Sequence, residues 1–280
     1  MATAKELFQQ GELNAAIAQI ISEVKARPTD TAARTFLFEL LCCAGELDRA
    51  EKQLDVIATQ SVEAEIGVLA YRNCLKAERE RRALWNDGAQ PHFLAEPPAY
   101  VDMHLEAINC VRAGKLSEAR ALLDDAEDQR PESPGTCDGA SFYDWRDADD
   151  FVAPVLEAIV KDQYVWIPYE QIRSIEIGKP EHLRDLLYTP ARIETTHDTR
   201  GQFFLMSCYA GSSAAASDQV RLGRMTDWLA YNDEMARGVG SRMLMVGDED
   251  KEIHEVQSIE FDLRPEHAQG ETRTDEDDND

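Results

Sequence analysis

One short phrase recurs three times in the first half of the chain and constrains that half most: Gly11-Glu-Leu-Asn-Ala-Ala16, Gly45-Glu-Leu-Asp-Arg-Ala50 and Gly114-Lys-Leu-Ser-Glu-Ala119. The first two glycines are 34 residues apart, and the next interval, 69, is about twice that. Thirty-four residues is the period of the tetratricopeptide (TPR) repeat, a pair of helices joined by a tight turn. Glycine suits a left-handed helix end, and a small Ala five positions on lets the next helix pack closely against the previous one. Pro28 and Pro131 stand seventeen residues after the first and third glycines, where such a unit ends its second helix, whereas the middle copy has Val62. Apolar residues between these marks keep helical spacing: Ala16, Ile17, Ile20 and Ile21; Leu47, Ala50, Leu54 and Ile57; Leu116, Ala119, Leu122, Leu123 and Ala126.

A TPR-like α-helical repeat domain is therefore expected over residues 1–134. Its middle is irregular. Glu63 to Leu84 reads as one long helix, Trp85 to Pro98 breaks the periodicity with one Gly and three Pro, and helix resumes from Tyr100 to Val111. Stacked helix pairs curve, and their first helices line a concave surface that grips peptides or helices. In the TPR frame Phe36, Glu39 and Cys43, and then His104, Leu105 and Arg112, point toward that surface. Burial between helices is the competing expectation for the apolar members.

After Pro131-Glu-Ser-Pro-Gly135 the pattern changes. A short amphipathic helix is expected over Phe151–Val160, with Phe151, Val155, Leu156 and Ile159 on one side. Runs rich in β-branched and aromatic residues follow at Tyr164–Ile167, Ile172–Ile177, Ala191–Thr195, Gln202–Tyr209, Met243–Val246 and Ile253–Phe261. Turn signals separate them and no long helix alternates with them, which predicts an antiparallel, barrel-like β domain over 135–263. The fold class expected is thus α+β with two domains, followed at 264–280 by a disordered acidic tail.

Charge narrows the partners. With 29 Lys and Arg against 54 Asp and Glu, the formal net charge is −25, which disfavours nucleic acid and anionic membrane surfaces. Residues 1–134 hold 15 basic and 23 acidic side chains (net −8) and residues 135–280 hold 14 and 31 (net −17). The repeat half is closer to neutral and better suited to seating an amphipathic helix. No apolar run reaches the length of a signal peptide or a membrane helix, so a cytoplasmic protein is expected. Six scattered cysteines without a CxxC pair read as buried small hydrophobes.

Catalytic motifs are sparse. Asp144, Asp147, Asp149 and Asp150 form a cluster that could hold a divalent cation or divide acid and base roles. The favoured reading is that Asp149 and Asp150 cap the helix expected to follow, since the Gly and distal Glu of a calcium loop are missing. Gly238-Val-Gly240 lacks the third glycine of a dinucleotide fingerprint, Gly178-Lys179 lacks a phosphate-loop glycine, and Gly211–Ser217 has no nucleophile elbow. The six histidines show no metal-ligand spacing. Neither a cofactor nor a metal is expected.

Ordered blocks in the second half carry a resemblance. Phe142-Tyr-Asp-Trp-Arg-Asp-Ala-Asp-Asp150, Tyr164-Val-Trp-Ile-Pro-Tyr169 with Ile172, Leu183-Arg-Asp-Leu-Leu187 with Pro190-Ala191, Leu222-Gly-Arg-Met-Thr-Asp-Trp228, and Met245-Val-Gly-Asp248 with Ile259-Glu-Phe261 resemble the ImpE/TagJ family of bacterial type VI secretion accessory proteins. The phrase Leu40-Leu-Cys-Cys-Ala-Gly-Glu-Leu-Asp-Arg-Ala50 is similar too, although Cys43 replaces an expected aromatic. The resemblance implies a cytosolic, non-enzymatic adaptor. It would bind the N-terminal helix of the small contractile-sheath subunit (VipA/TssB type) and link it to sheath assembly or to recycling by the ClpV unfoldase. It also implies a helical repeat domain followed by a smaller β domain. Within its motifs Leu183, Leu187, Trp166 and Ile259 read as core, and Arg184, Asp185, Arg224 and Asp227 as a buried ion-pair network or an interface. Two alternatives stand beside the adaptor: a metal-dependent hydrolase using Asp144–Asp150, and a general TPR scaffold with another client.

Overall fold

The turns marked by the repeated phrase shape the helical half. In the computed structural model, which describes residues 2–60 and 62–262, seven helices come first. They are α1 (Ala4–Gln9), α2 (Leu13–Ala26), α3 (Thr31–Cys43), α4 (Leu47–Ala58), α5 (Val62–Asp87), α6 (Ala99–Arg112) and α7 (Leu116–Gln129). The acidic tail expected at 264–280 lies outside the described residues.

Gly11, Gly45 and Gly114 take φ of 81, 72 and 73°. Each donates its N–H to the carbonyl three residues back, to Phe8, Cys42 and Val111, and the following N–H reaches the carbonyl five back, of Leu7, Leu41 and Cys110, all at 2.9–3.0 Å. This paired closure satisfies carbonyls that a helix end leaves free. The next helix starts two residues after each glycine, and Ala16, Ala50 and Ala119 are fully buried where the helices meet. Pro28 and Pro131 directly follow the C-caps Arg27 and Arg130 of α2 and α7, where a residue without an N–H cannot extend the helix. Val62 instead opens α5, which runs for 26 residues.

The second half comprises thirteen strands among the described residues: β1 (Gly135–Cys137), β2 (Ala140–Phe142), β3 (Trp145–Asp147), β4 (Val155–Val160), β5 (Gln163–Pro168), β6 (Ile172–Ile177), β7 (Tyr188–Thr195), β8 (Arg200–Met206), β9 (Thr226–Asn232), β10 (Met235–Gly240), β11 (Met243–Val246), β12 (Glu249–Glu252) and β13 (Ser258–Phe261), with the one-turn helix α8 (Asp218–Arg221) before β9. Eight form one antiparallel sheet in the order β2-β1-β13-β6-β7-β8-β4-β5; β12-β11-β3 and β10-β9 form two smaller ones. The molecule is a two-domain α+β arrangement. The large sheet is open, with β2 and β5 at its edges, so the barrel-like closure is not formed. The proline-rich insertion covers the β5 edge: the His92 N–H donates to the Tyr164 carbonyl at 3.0 Å and the His92 carbonyl accepts from Trp166 N–H at 2.9 Å.

The helix expected over Phe151–Val160 is absent. Residues 151–154 form a turn and Val155–Val160 is strand β4. Both faces of this strand are covered, which removes the alternation that marks a half-exposed strand. Val155 and Ile159, with Tyr164 and Trp166 of β5, pack toward α5–α7; Leu156 and Ala158, with Val165 and Ile167, pack on the opposite side against Leu244 and Trp145. One apolar cluster therefore contains residues of both halves, Leu105, Ile108 and Leu123 alongside Phe151, Tyr188 and Met206.

Candidate functional site

Ion pairs stitch the helices to the sheet. Arg242, in the link from β10 to β11, is fully buried; its guanidinium is paired with Asp147 and Glu157, and its Nε donates to the Met206 carbonyl at 3.0 Å. Tyr209 Oη donates to Asp147 at 2.8 Å, and Tyr164 Oη to Glu157. Arg81 of α5 joins this network, donating to Glu78 at 2.5 Å and to the Cys208 carbonyl at 2.8 Å. Burial opposes ionisation of Glu157, but Arg242 and Arg81 outweigh it and hold its pKa below the usual value. Buried ions of this kind persist only when paired and hydrogen-bonded.

The aspartates before β4 belong to the same scaffold. Asp144 accepts from Arg130 at 2.9 and 2.7 Å and from Ser133 N–H at 2.9 Å. Asp149 accepts from Phe151 N–H and Gly238 N–H, each at 2.9 Å, and burial, with Asp147 beside it, raises its pKa to about 7. Asp150 pairs with Arg146 at 2.5 Å and with Arg120 at 3.1 Å. Asp149 thus caps a turn rather than the expected helix. Arginines and N–H groups hold these carboxylates, and among the described residues no group of three or more His, Cys, Asp or Glu is placed to hold a metal ion.

Six of the residues singled out from the sequence gather at the seam between the halves. Glu39 of α3 is buried and accepts from Arg184 at 2.6 Å, and burial raises its pKa despite that partner. Arg184 also lies 4.8 Å from the centre of the Tyr71 ring. Asp185, next to it, is buried and accepts from Glu181 and His182 N–H at 3.0 and 2.9 Å. Phe36 meets Phe8 edge-on at 5.6 Å. Arg224 covers the other side of this cluster, 4.4 Å over the Phe8 ring and donating to the Phe8 carbonyl at 3.0 Å. Cys43 is buried beside Cys208 and Arg221 at a narrow cavity of about 30 Å³. All six cysteines are free and buried.

The other four lie apart. His104 and Leu105 are buried on α6, where burial lowers the His104 pKa to about 4. Arg112 is exposed at the end of α6 and donates to Asn109 at 2.8 Å. Asp227 is exposed on β9 and accepts from Trp228 N–H at 2.8 Å. The inward faces of α3 and α6 are therefore covered by the chain's own second half.

Sequence reasoning missed two features. Glu157 and Arg242 carry the buried network, and the available signal was a lone charge within the apolar run Val155-Leu-Glu-Ala-Ile-Val160. The other is a set of exposed apolar side chains on α4 and α5: Ile66 and Leu69 of α5 are 69% and 58% exposed and Val56 of α4 is 39% exposed. Alongside it α4 and α5 are bridged by Arg72–Asp55 at 2.6 Å and by Arg79 to Asp48 and Glu51 at 2.9 and 2.8 Å. A cleft of about 460 Å³ lies at the end of this row, lined by both signs of charge, Arg49, Arg79 and Arg82 with Glu46, Asp48 and Asp87.

Taken together, the fold is an α+β scaffold whose interior charges are paired within the second half and across the seam, with exposed apolar residues on α4 and α5 and on β9. Comparison with known proteins agrees with an accessory role. The ImpE protein family model matches residues 139–260. The chain is 30% identical over 259 residues, 92% of its length and 91% of the relative's, to the type VI secretion system accessory component TagJ of Pseudomonas aeruginosa. A crystal structure of a protein from Vibrio parahaemolyticus superposes with a TM-score of 0.86 at 25% identity, covering 94% of this chain and 98% of that one. The chain belongs to the ImpE/TagJ family of type VI secretion accessory components.

Proposed function

We propose that the protein is a non-enzymatic, cytoplasmic adaptor of type VI secretion that receives the N-terminal helix of the small contractile-sheath subunit (VipA/TssB type), in sheath assembly or in recycling by ClpV. The observation that carries this reading is near full-length similarity to a type VI accessory component. The three glycine turns at the TPR spacing support a TPR-like helical half. Because the inward faces of α3 and α6 are occupied, the proposed seat for the partner helix is the outer α4–α5 face. Ile66 and Leu69, about one turn apart on α5, are exposed and apolar, and the same helix carries the Arg72 and Arg79 ion pairs to α4, where Val56 is also exposed. An amphipathic helix would bury its apolar stripe on these side chains and set its polar edges against the ion pairs. The seam residues Phe36, Glu39, Cys43, Arg184, Asp185 and Arg224 would then hold this face in place rather than touch the partner. His104 and Leu105 would do the same for α6, leaving Arg112 and Asp227 accessible for secondary contacts.

Co-expression of the full chain with the small sheath subunit tests the reading. The two should co-purify, and removing the first helix of the sheath subunit should abolish this; unchanged co-purification after that removal contradicts the proposed mode.

A further inference from the structure

The narrow cavity of about 30 Å³ at the seam is rich in cationic donors. Three arginines line it, Arg81 and Arg82 of α5 and Arg221 of α8, against a single carboxylate, Glu78. That carboxylate is already shared: one oxygen accepts from Arg81 at 2.5 Å and the other from Arg82 at 3.2 Å. Arg221 pairs with Asp218 at 2.8 Å, but Asp218 is not among the lining residues, and its second oxygen accepts from the Leu13 N–H at 2.9 Å. Two of the three guanidinium groups still hold a donor in reserve. Arg81 is 5% exposed, and its Nε–H, like that of Arg221, is buried and meets no acceptor among the described residues. The rest of the lining supplies no negative charge. Burial raises the pKa of the Cys43 and Cys208 thiols and of the Tyr188 phenol, so all three stay protonated. The Arg221 charge acts on Cys43 and the Arg81 charge on Cys208, which puts both cations close to the cavity. Ser212 Oγ is engaged as well, donating to the Tyr209 carbonyl at 2.6 Å and accepting from Gly240 N–H at 2.7 Å.

We infer that this cavity binds one small monovalent anion of halide size, held by the free Nε–H groups of Arg81 and Arg221. Volume sets the size. About 10–15 Å³ admits one water-sized particle, so a cavity of about 30 Å³ takes a chloride ion and excludes phosphate, sulfate or a carboxylate ligand. Charge sets the sign. A water in this place would bring two protons that need acceptors, while the one lining carboxylate and the Ser212 hydroxyl are occupied. An anion accepts from both Nε–H groups and offsets the excess of cations, and buried charges persist only when so paired. The lining comes from α3, α5 and the second half of the chain, so the bound ion strengthens the seam.

Crystals of the full chain grown with sodium bromide test the site directly: an anomalous bromine peak is expected in this cavity, within hydrogen-bonding reach of Arg81 Nε and Arg221 Nε. Thermal melts then separate a built site from an adventitious ion only. Exchanging sodium gluconate for sodium chloride at constant ionic strength keeps screening fixed, and gluconate is too large to enter. The wild-type Tm should rise with chloride and level off, as saturable binding to the folded state requires. Arg221→Gln, which removes one of the two donors, should lose that rise, whereas Arg192→Gln at an exposed position outside the cavity should keep it. The wild-type map and melts decide the matter even if Arg221→Gln fails to fold. A cavity that holds water alone overturns the inference, and so does a bromide peak without a chloride-dependent rise in Tm.

Discussion

Arg242 has no exposed surface, and its two carboxylate partners, Asp147 and Glu157, have almost none. Removing the cation would leave two buried anions without their counter-charge, a defect that costs about 3–5 kcal/mol. Arg242→Met should lower the urea midpoint accordingly, more than any exposed arginine replacement such as Arg192→Met, which should change stability by about 0.5 kcal/mol or less. Two further buried groups bend the pH profile in opposite senses. Burial lifts the folded pKa of Asp149 to about 7 from its ordinary 3.8, so the folded state holds the proton more tightly and this contribution declines as pH rises through that window. Burial lowers the folded pKa of His104 to about 4 from 6.5, so its contribution is present above pH 6.5 and is lost as pH falls toward 4. Urea midpoints measured from pH 4 to pH 8 should show Asp149→Asn gaining on wild type as pH rises. His104→Leu should gain on wild type as pH falls.

At the scale of elements, the three repeat turns share a backbone but not a setting. A Cβ on Gly114 would meet no atom within 4 Å, whereas one on Gly45 would sit 2.5 Å from Ser213 Oγ of the second half. Gly114→Ala should therefore cost only the left-handed backbone penalty, about 1 kcal/mol. Gly45→Ala should cost more, because the turn must also move off its neighbour; thermal melts of the two variants give the comparison. These turns were legible in the sequence because a left-handed helix end leaves glycine as its mark, and because Ala16, Ala50 and Ala119 must be small where helices touch. Six of the strands were legible for a similar reason, their β-branched and aromatic runs. Strand β4 was not, since Val155–Val160 is buried on both faces and its apolar run has no period. Hairpin β9–β10 was missed because Gly238 and Gly240 weaken its strand signal, although their lack of a side chain admits Tyr209 and the Met225 carbonyl at close range. Among the residues at the seam, sequence spacing singled out Phe36, Glu39 and Cys43 and the family motifs singled out Arg184, Asp185 and Arg224. Spacing alone could not say that the two sets meet each other.

The whole molecule behaves as one packed unit because α5–α7 share an apolar cluster with β4, β5 and β8, and Arg81, Glu39 and Arg224 cross the seam with polar contacts. Heating should therefore give a single transition with equal calorimetric and van't Hoff enthalpies, despite two architectures in one chain; two resolved transitions would show that the seam is weaker than its contacts imply. A rigid seam also explains why client binding is assigned to the outer face, since opening the inner one would expose the buried arginine and carboxylate network. The direct test is titration calorimetry of the full chain with a peptide spanning the first helix of the small sheath subunit. Saturable binding to the wild type is expected, weakened by about tenfold or more, or about 1.4 kcal/mol, in an Ile66→Asp, Leu69→Asp double variant that keeps its fold. Equal affinity for both chains, or no binding to the wild type, would contradict the assignment of the α4–α5 face as the seat of the sheath helix.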